Sequence, residues 1–258
     1  MALLKVENLS AGYGGQKIVE DVSFELGEGE TAAIFGENGS GKTTLLRGIA
    51  GLGTRISGTV YVSGRNVTDM RTRARAGYLA MSACEAEVPE GLLADEVLEM
   101  GWYARLPFPG VPDRNMREEK QKLIRELELE PLLPAYFNKL SQGQKQRVLL
   151  GRMLMQDTPV FLMDEPDSGL DFRHKHALLR KMGTMARERK KAGIMILHDP
   201  SLALTYCDRV FLIKGGRIAD VISPGKESEA QIAEKIQEIT GRVRVTKQGI
   251  SVIISPGF

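Results

Sequence analysis

The chain has 258 residues, 42% hydrophobic and 26% charged, which excludes a disordered or fibrous protein and leaves room for a sizeable core. With 35 Lys and Arg against 33 Asp and Glu, the net charge is +2, so nucleic acid is not expected as a partner; the basic run "RERKKAG" (187–193) reads as a solvated helix end. Cys84 and Cys207 form neither a metal pattern nor a disulfide framework and are read as free thiols, and no stretch reaches the roughly 18 apolar residues of a membrane span, so a soluble chain is expected.

Four zones follow in chain order. Over residues 1–80, β-type runs such as "LLKVENL", "IVEDVSFEL", "TAAIF" and "GTVYV" are separated by Gly-rich turns, with one helix near 42–50. From 83 to 139 the apolar spacing becomes helical, in "LLADEVLEMGWYA" and "REEKQKLIRELEL", and Pro107, Pro109, Pro112, Pro131 and Pro134 close the segments; this is expected to be a small helical subdomain. Residues 140–220 return to helix alternating with strand: a helix from about 142, strand "VFLM", a helix from about 173, strand "IMIL", then "RVFLIKGGRIADVI" as a hairpin with a Gly-Gly turn. The tail, 221–258, predicts a helix in "SEAQIAEKIQEIT", with Ile232, Ile236 and Ile239 on one face, and a hairpin turning around Lys247, Gln248 and Gly249. The fold class is therefore α/β: a mainly parallel sheet with helices, an N-terminal antiparallel β subdomain, a helical subdomain and a small C-terminal α+β extension.

The chemistry begins at "GENGSGKT" (36–43), which has the spacing Gly, four residues, Gly-Lys-Thr between a strand and a helix. Gly36, Gly39 and Gly41 let the backbone wrap an anion, with Glu37, Asn38, Ser40 and Thr44 completing the loop, so that N–H groups and a helix N-terminus face phosphates. Lys42 adds a full positive charge, and Thr43 offers a hydroxyl to magnesium. The apolar strand "VFLMDEP" (160–166) ends in two carboxylates whose directions diverge. Asp164 is expected to hold magnesium, and Glu165 to orient or deprotonate an attacking water, a role worth ~10² to 10⁴ in rate. A second strand, "IMIL", ends in His198, which can reach the γ-phosphate or position the water.

Together "GENGSGKT", "LSQGQKQR" (140–147), "VFLMDEP", "DSGLD" (167–171) and "ILHDP" (196–200) resemble, in this order, the ATP-binding cassette of the ABC ATPase family over about residues 2–220. The resemblance implies an active ATPase that binds ATP and magnesium as a head-to-tail dimer with a second copy of itself. Ser141, Gly143 and Gln144 would face the γ-phosphate held by the partner chain, Asp171 would lie at the dimer seam, and Tyr13 in "AGYGG" would stack on adenine. It also implies separate integral membrane permease subunits, an extracytoplasmic substrate-binding protein, and a peripheral place on the cytoplasmic face of the cell membrane. "ADEVLEMGWYARLPF" resembles cassettes serving iron-siderophore, haem or cobalamin uptake. A zinc or manganese importer and a soluble ABC ATPase, such as one for iron–sulfur assembly, are the alternatives.

The pattern is broken after "GYLA", where a glutamine usual in the family is replaced by Met81, a poor ligand for a hard cation. Either a neighbour such as Ser82 or Glu85 substitutes, or the coordination is looser than usual, so that contact has no assigned residue. In the family's serine-glycine signature, which here reads "SQGQ" (141–144) and begins the helix predicted from about 142, Gln142 replaces a glycine, a change that the family tolerates.

Overall fold

The computed structural model describes residues 2–83, 88–106, 110–241, 243–248 and 251–256. Strands β1 (Ala2–Tyr13) and β2 (Gln16–Gly27) form a hairpin turned by Gly14 and Gly15, at φ of 56° and 82°, where the absence of a Cβ removes the left-handed penalty. Strand β3 (Thr31–Gly36) has no polar alternation and is buried on both faces, as a central parallel strand must be. It runs through the glycine loop into helix α1 (Lys42–Ala50). Strands β4 (Arg55–Val62) and β5 (Arg65–Asn66) complete a four-stranded antiparallel sheet ordered β2–β1–β4–β5, as the β-type N-terminal pattern predicts.

After the short helix α2 (Thr72–Arg75) and strand β6 (Leu79–Ala83), the helical pattern over 92–104 is split. Helix α3 (Ala94–Glu99) passes into a tighter 3-10 turn at Met100–Ala104, where a Cβ on Gly101 would run into the carbonyl oxygen of Arg152. Helix α4 (Arg114–Glu126) is capped by Asp113, whose carboxylate accepts from the Met116 amide at 2.8 Å; it buries Met116, Lys120, Leu123 and Ile124 on one face. Lys120 ties α4 to α3 through Asp95 and Glu99, each 2.6 Å away. Helix α5 (Gln142–Met155) then leads to strand β7 (Val160–Asp164).

Helix α6 (Phe172–Glu188), strand β8 (Ala192–Ile196), helix α7 (Pro200–Tyr206) and strands β9 (Arg209–Lys214) and β10 (Arg217–Ile222) complete a six-stranded sheet ordered β10–β9–β3–β8–β7–β6. All neighbours are parallel except β9 and β10, whose hairpin turns at Gly215 and Gly216 as the sequence predicts. Alternate residues supply two cores: Ala32, Ile34, Val160 and Leu162 pack with α1 and the antiparallel sheet, while Phe35, Phe161, Met163 and Met195 pack with α5, α6 and α7. Gly193 leaves room for the Phe161 ring, which a Cβ there would meet.

Helix α8 (Glu229–Thr240) opens with a capping box, Ser228 accepting from the Gln231 amide while the Gln231 side chain accepts from the Ser228 amide. Ile232 and Ile236 are buried and Ile239 is partly buried, as the spacing predicts. Strands β11 (Val243–Gln248) and β12 (Ser251–Pro256) form the terminal hairpin, with Lys247 and Gln248 inside β11 rather than in its turn; Gly249 lies outside the described residues. The Val252 and Ile254 amides donate to Thr205 and Ser201 hydroxyls, fastening the hairpin to α7. Among the described residues no helix is long and apolar enough to cross a membrane.

Candidate active site

The parallel order β3–β8–β7 brings three chain segments that are distant in sequence to one edge of the sheet, the carboxyl end where open α/β sheets place their ligand crevices. From β3 comes the loop 36–43. A Cβ on Gly36 would strike the Ile213 carbonyl oxygen; Gly39 and Gly41 have φ of 80° and 98°, and a Cβ on Gly41 would lie 2.8 Å from Val19 Cγ2. The loop is therefore held against β2 and β9 in a form that only these glycines allow.

Lys42 folds back over the loop, its Nζ donating to the Gly36 and Glu37 carbonyls at 2.9 and 2.8 Å. Burial pushes its pKa below the usual lysine value, opposed by the charges of Glu165 and Asp164. Ser40 Oγ is buried and has no hydrogen-bond partner among the described residues, and Glu37, Asn38, Gly39 and Ser40 line a cavity of about 210 Å³ with Ile213, Lys214, Gly215 and Ile239. Thr44 is buried in the first turn of α1, so its backbone N–H is the group it offers the loop. An orphaned hydroxyl, a lysine that coordinates carbonyls and free helix-start amides fit an anion rich in acceptor oxygens.

From β7 come the two carboxylates, which diverge as neighbouring strand residues should. Asp164 faces Thr43, whose hydroxyl donates to it at 3.3 Å. Burial pushes the Asp164 carboxyl above its usual range, opposed by the Thr43 bond and reinforced by the Glu165 charge. Thr43 and Asp164 form a hard, all-oxygen donor pair, and no group of three His, Cys, Asp or Glu side chains accompanies them among the described residues. This fits magnesium, which takes one or two protein oxygens and fills the rest with phosphate and water. Glu165 turns the other way, at φ 50°, and its Oε1 lies 2.7 Å from His198 Nε2 beyond the end of β8. The structure thus brings Lys42, Thr43, Asp164, Glu165 and His198 together.

Tyr13 is half exposed at the β1–β2 turn, on the hairpin whose Ile18 and Val19 contact Gly41, so it stands at the loop's end of the molecule. Ser141 begins α5 in a capping box: its hydroxyl accepts from the Gln144 amide at 3.4 Å, and the Gln144 side chain accepts from the Ser141 amide at 2.9 Å. A Cβ added at Gly143 would lie 3.5 Å from the Gly169 carbonyl oxygen and from Leu170, so this helix start packs beside the turn ending at Asp171. Asp171 caps α6 by accepting from the His174 amide at 3.0 Å and meets the His174 ring at 2.8 Å; these bonds hold its carboxyl below the usual range.

Strand register bears on one substitute for the missing glutamine. Met81 pairs with Leu162 and Ser82 with Met163, so Met81 shares a face with Asp164 while Ser82 points to the opposite one, beside Gln146 and Pro166. Ser82 is thereby removed as a substitute; Glu85 lies outside the described residues. The sequence reading passed over Gln146, a buried amide in the apolar stripe with Leu149, Leu150 and Met153, where a polar residue at a core position is itself the signal.

A model of the ABC transporter family matches residues 19–168. An uncharacterized ABC transporter ATP-binding protein of Methanocaldococcus jannaschii is 32% identical over 240 residues, spanning 92% of this chain and 82% of that one. A hemin import ATP-binding protein of Streptomyces coelicolor is 36% identical over 216 residues (82% and 74%), and a probable siderophore transport system ATP-binding protein of Bacillus subtilis is 29% identical over 239 (93% and 86%). Among solved structures, an ATP-binding subunit of an ABC transporter superposes with a TM-score of 0.77 at 28% identity over 93% of this chain and 94% of that one. A bacterial ABC transporter cassette described as dimeric gives a TM-score of 0.77 at 25% identity over 86% and 98%. With nucleotide loop, acid pair and signature helix on one cassette fold, the chain belongs to the ABC transporter family and is an ATPase.

Proposed function

We propose that this ATPase powers a membrane importer of a metal chelate, an iron-siderophore, haem or cobalamin, through ATP-driven closure of a head-to-tail dimer. The relatives named for hemin and siderophore transport support the cargo class. Residues 1–220 act as the cassette, 83–139 as a helical subdomain that receives a short helix of the permease, and 221–258 as an appended unit. The protein sits on the cytoplasmic face of the membrane, bound to permease subunits and, through them, to an extracytoplasmic substrate-binding protein.

In this reading the loop amides of residues 36–44 and Lys42 bind the phosphates, and Tyr13 stacks on adenine. Thr43 and Asp164 hold magnesium, which neutralises charge on the phosphates when bound. Glu165 takes the proton of the attacking water, and His198, 2.7 Å from it, orients the carboxylate and reaches the γ-phosphate. Ser141, Gly143 and Gln144 complete the partner's site, and Asp171 links the two sites across the seam.

The observation that supports the dimer is the second Ser-Gly helix start, Ser141 to Gln144, which packs beside the 169–171 turn while Lys42 serves the loop of α1. Tagged protein purified from detergent-extracted membranes of its own cells tests the transport reading. Co-purification of a polytopic permease supports it, and recovery of a soluble cluster-assembly scaffold without a permease overturns it.

A further inference from the structure

Gln146 is 7% exposed and lies on the face of α5 that otherwise buries Leu149, Leu150 and Met153. An amide in that position is costly unless its hydrogen bonds are made. Its Nε2 donates to the Glu165 carbonyl at 3.3 Å and to the Pro166 carbonyl at 3.2 Å, so one side chain grips consecutive carbonyls of the turn that follows Asp164. The Glu165 carbonyl also accepts from the Ser168 amide at 3.1 Å.

The turn needs holding. Glu165 has φ 50°, a left-handed conformation that a residue with a Cβ adopts at a cost, and it precedes a proline, which disfavours helical conformations on either hand and favours extended ones. The direction of its carboxylate, and hence the 2.7 Å approach to His198, follows from that backbone conformation. Relaxation of residue 165 toward extended backbone would swing the carboxylate away.

We infer that Gln146 is a positioning residue: by clamping the carbonyls of Glu165 and Pro166 it keeps Glu165 in the left-handed conformation from which its carboxylate addresses the attacking water. The inference rests on the proposed base role of Glu165. Because Gln146 lies in the second turn of the helix begun by Ser141, it also makes the signature helix and the carboxylate one mechanical unit within a chain.

The test is steady-state ATP turnover of Gln146→Met, which keeps length and fills the apolar stripe without donors, alongside Glu165→Gln and the double variant. Gln146→Met is expected to retain KM for ATP within about twofold while kcat falls about tenfold to a hundredfold, the scale of an ångström-level misplacement of a reacting group. In the Glu165→Gln background the same change is expected to cause no further loss, since its effect runs through Glu165. Wild-type kcat in Gln146→Met, or an equal loss in the Glu165→Gln background, overturns the inference. Should Gln146→Met fail to fold, Gln146→Leu, which is apolar and has no donor, carries the same expectations. Rapid turnover by Glu165→Gln alone would instead remove the base role, which separates failure of that reading from failure of the clamp.

Discussion

Replacing Asp164 by Asn separates what this carboxylate costs the fold from what it does in turnover. Asp164 is 9% exposed, with the Thr43 hydroxyl 3.3 Å away, and burial raises its pKa. A carboxyl whose folded pKa lies above its unfolded one binds more protons in the folded state. Stability from this group therefore falls as pH rises from the ordinary carboxylate value through the raised one. Asp164→Asn keeps the volume, can still bond Thr43 and has no charge to desolvate. At pH 7 without nucleotide it should be more stable by about 0.5–2 kcal/mol, the scale of relieving an active-site compromise. For a chain of this size that raises Tm by roughly 2–4 °C per kcal/mol. Calorimetric melts at successively lower pH should show the gap narrowing toward acid, as the wild-type carboxyl takes up its proton. ATP turnover in the same samples should fall at least about 10²-fold, because one of the two side chains proposed to hold magnesium loses its charge. A variant less stable than wild type at pH 8, or a gap that widens toward acid, refutes this burial argument.

Gly41→Ala places a Cβ 2.8 Å from Val19 Cγ2 at φ 98°, so left-handed strain of roughly 1–2 kcal/mol plus displacement of Val19 should lower Tm and deform the loop. Titration calorimetry should then show ATP affinity lost, and unchanged affinity would contradict the cradle. Ser141→Ala removes a cap worth about 1 kcal/mol, a shift of a few degrees in Tm, yet should reduce turnover far beyond that proportion; loss only in step with stability would make Ser141 a structural cap. Glu165→Gln should bind ATP and elute as a dimer in size-exclusion chromatography without turning over.

The parts of the site legible in the sequence are those that local chain geometry determines. Residues 36–43 announce themselves because strand, glycine loop and helix are contiguous, and Asp164 with Glu165 because an apolar run stops at two acids. The side on which Met81 and Ser82 point was not legible: it depends on the β6–β7 register, which slips face with every residue. Gln146 was hidden because its meaning lies in the packing of α5 against the turn after β7. The helical pattern through Met100 was likewise read as one helix, since the tight approach of Gly101 to Arg152 is a tertiary fact. Asp113, Ser141, Asp171 and Ser228 each begin a helix by accepting from the amide three residues on, a local cap pattern that the sequence reading did not use.

The shared site between two copies is tested most directly by mixing two inactive proteins. Lys42→Ala disables the nucleotide loop, and Ser141→Arg blocks the helix start that would face the partner's nucleotide. In an equilibrated equimolar mixture about half of the dimers are mixed, each with one intact site of two, so turnover should recover to about a quarter of wild type if dimers form at random. If the mixture stays as inactive as either variant while subunit exchange is verified, each chain works with its own Ser141 and Lys42, and the head-to-tail dimer is wrong.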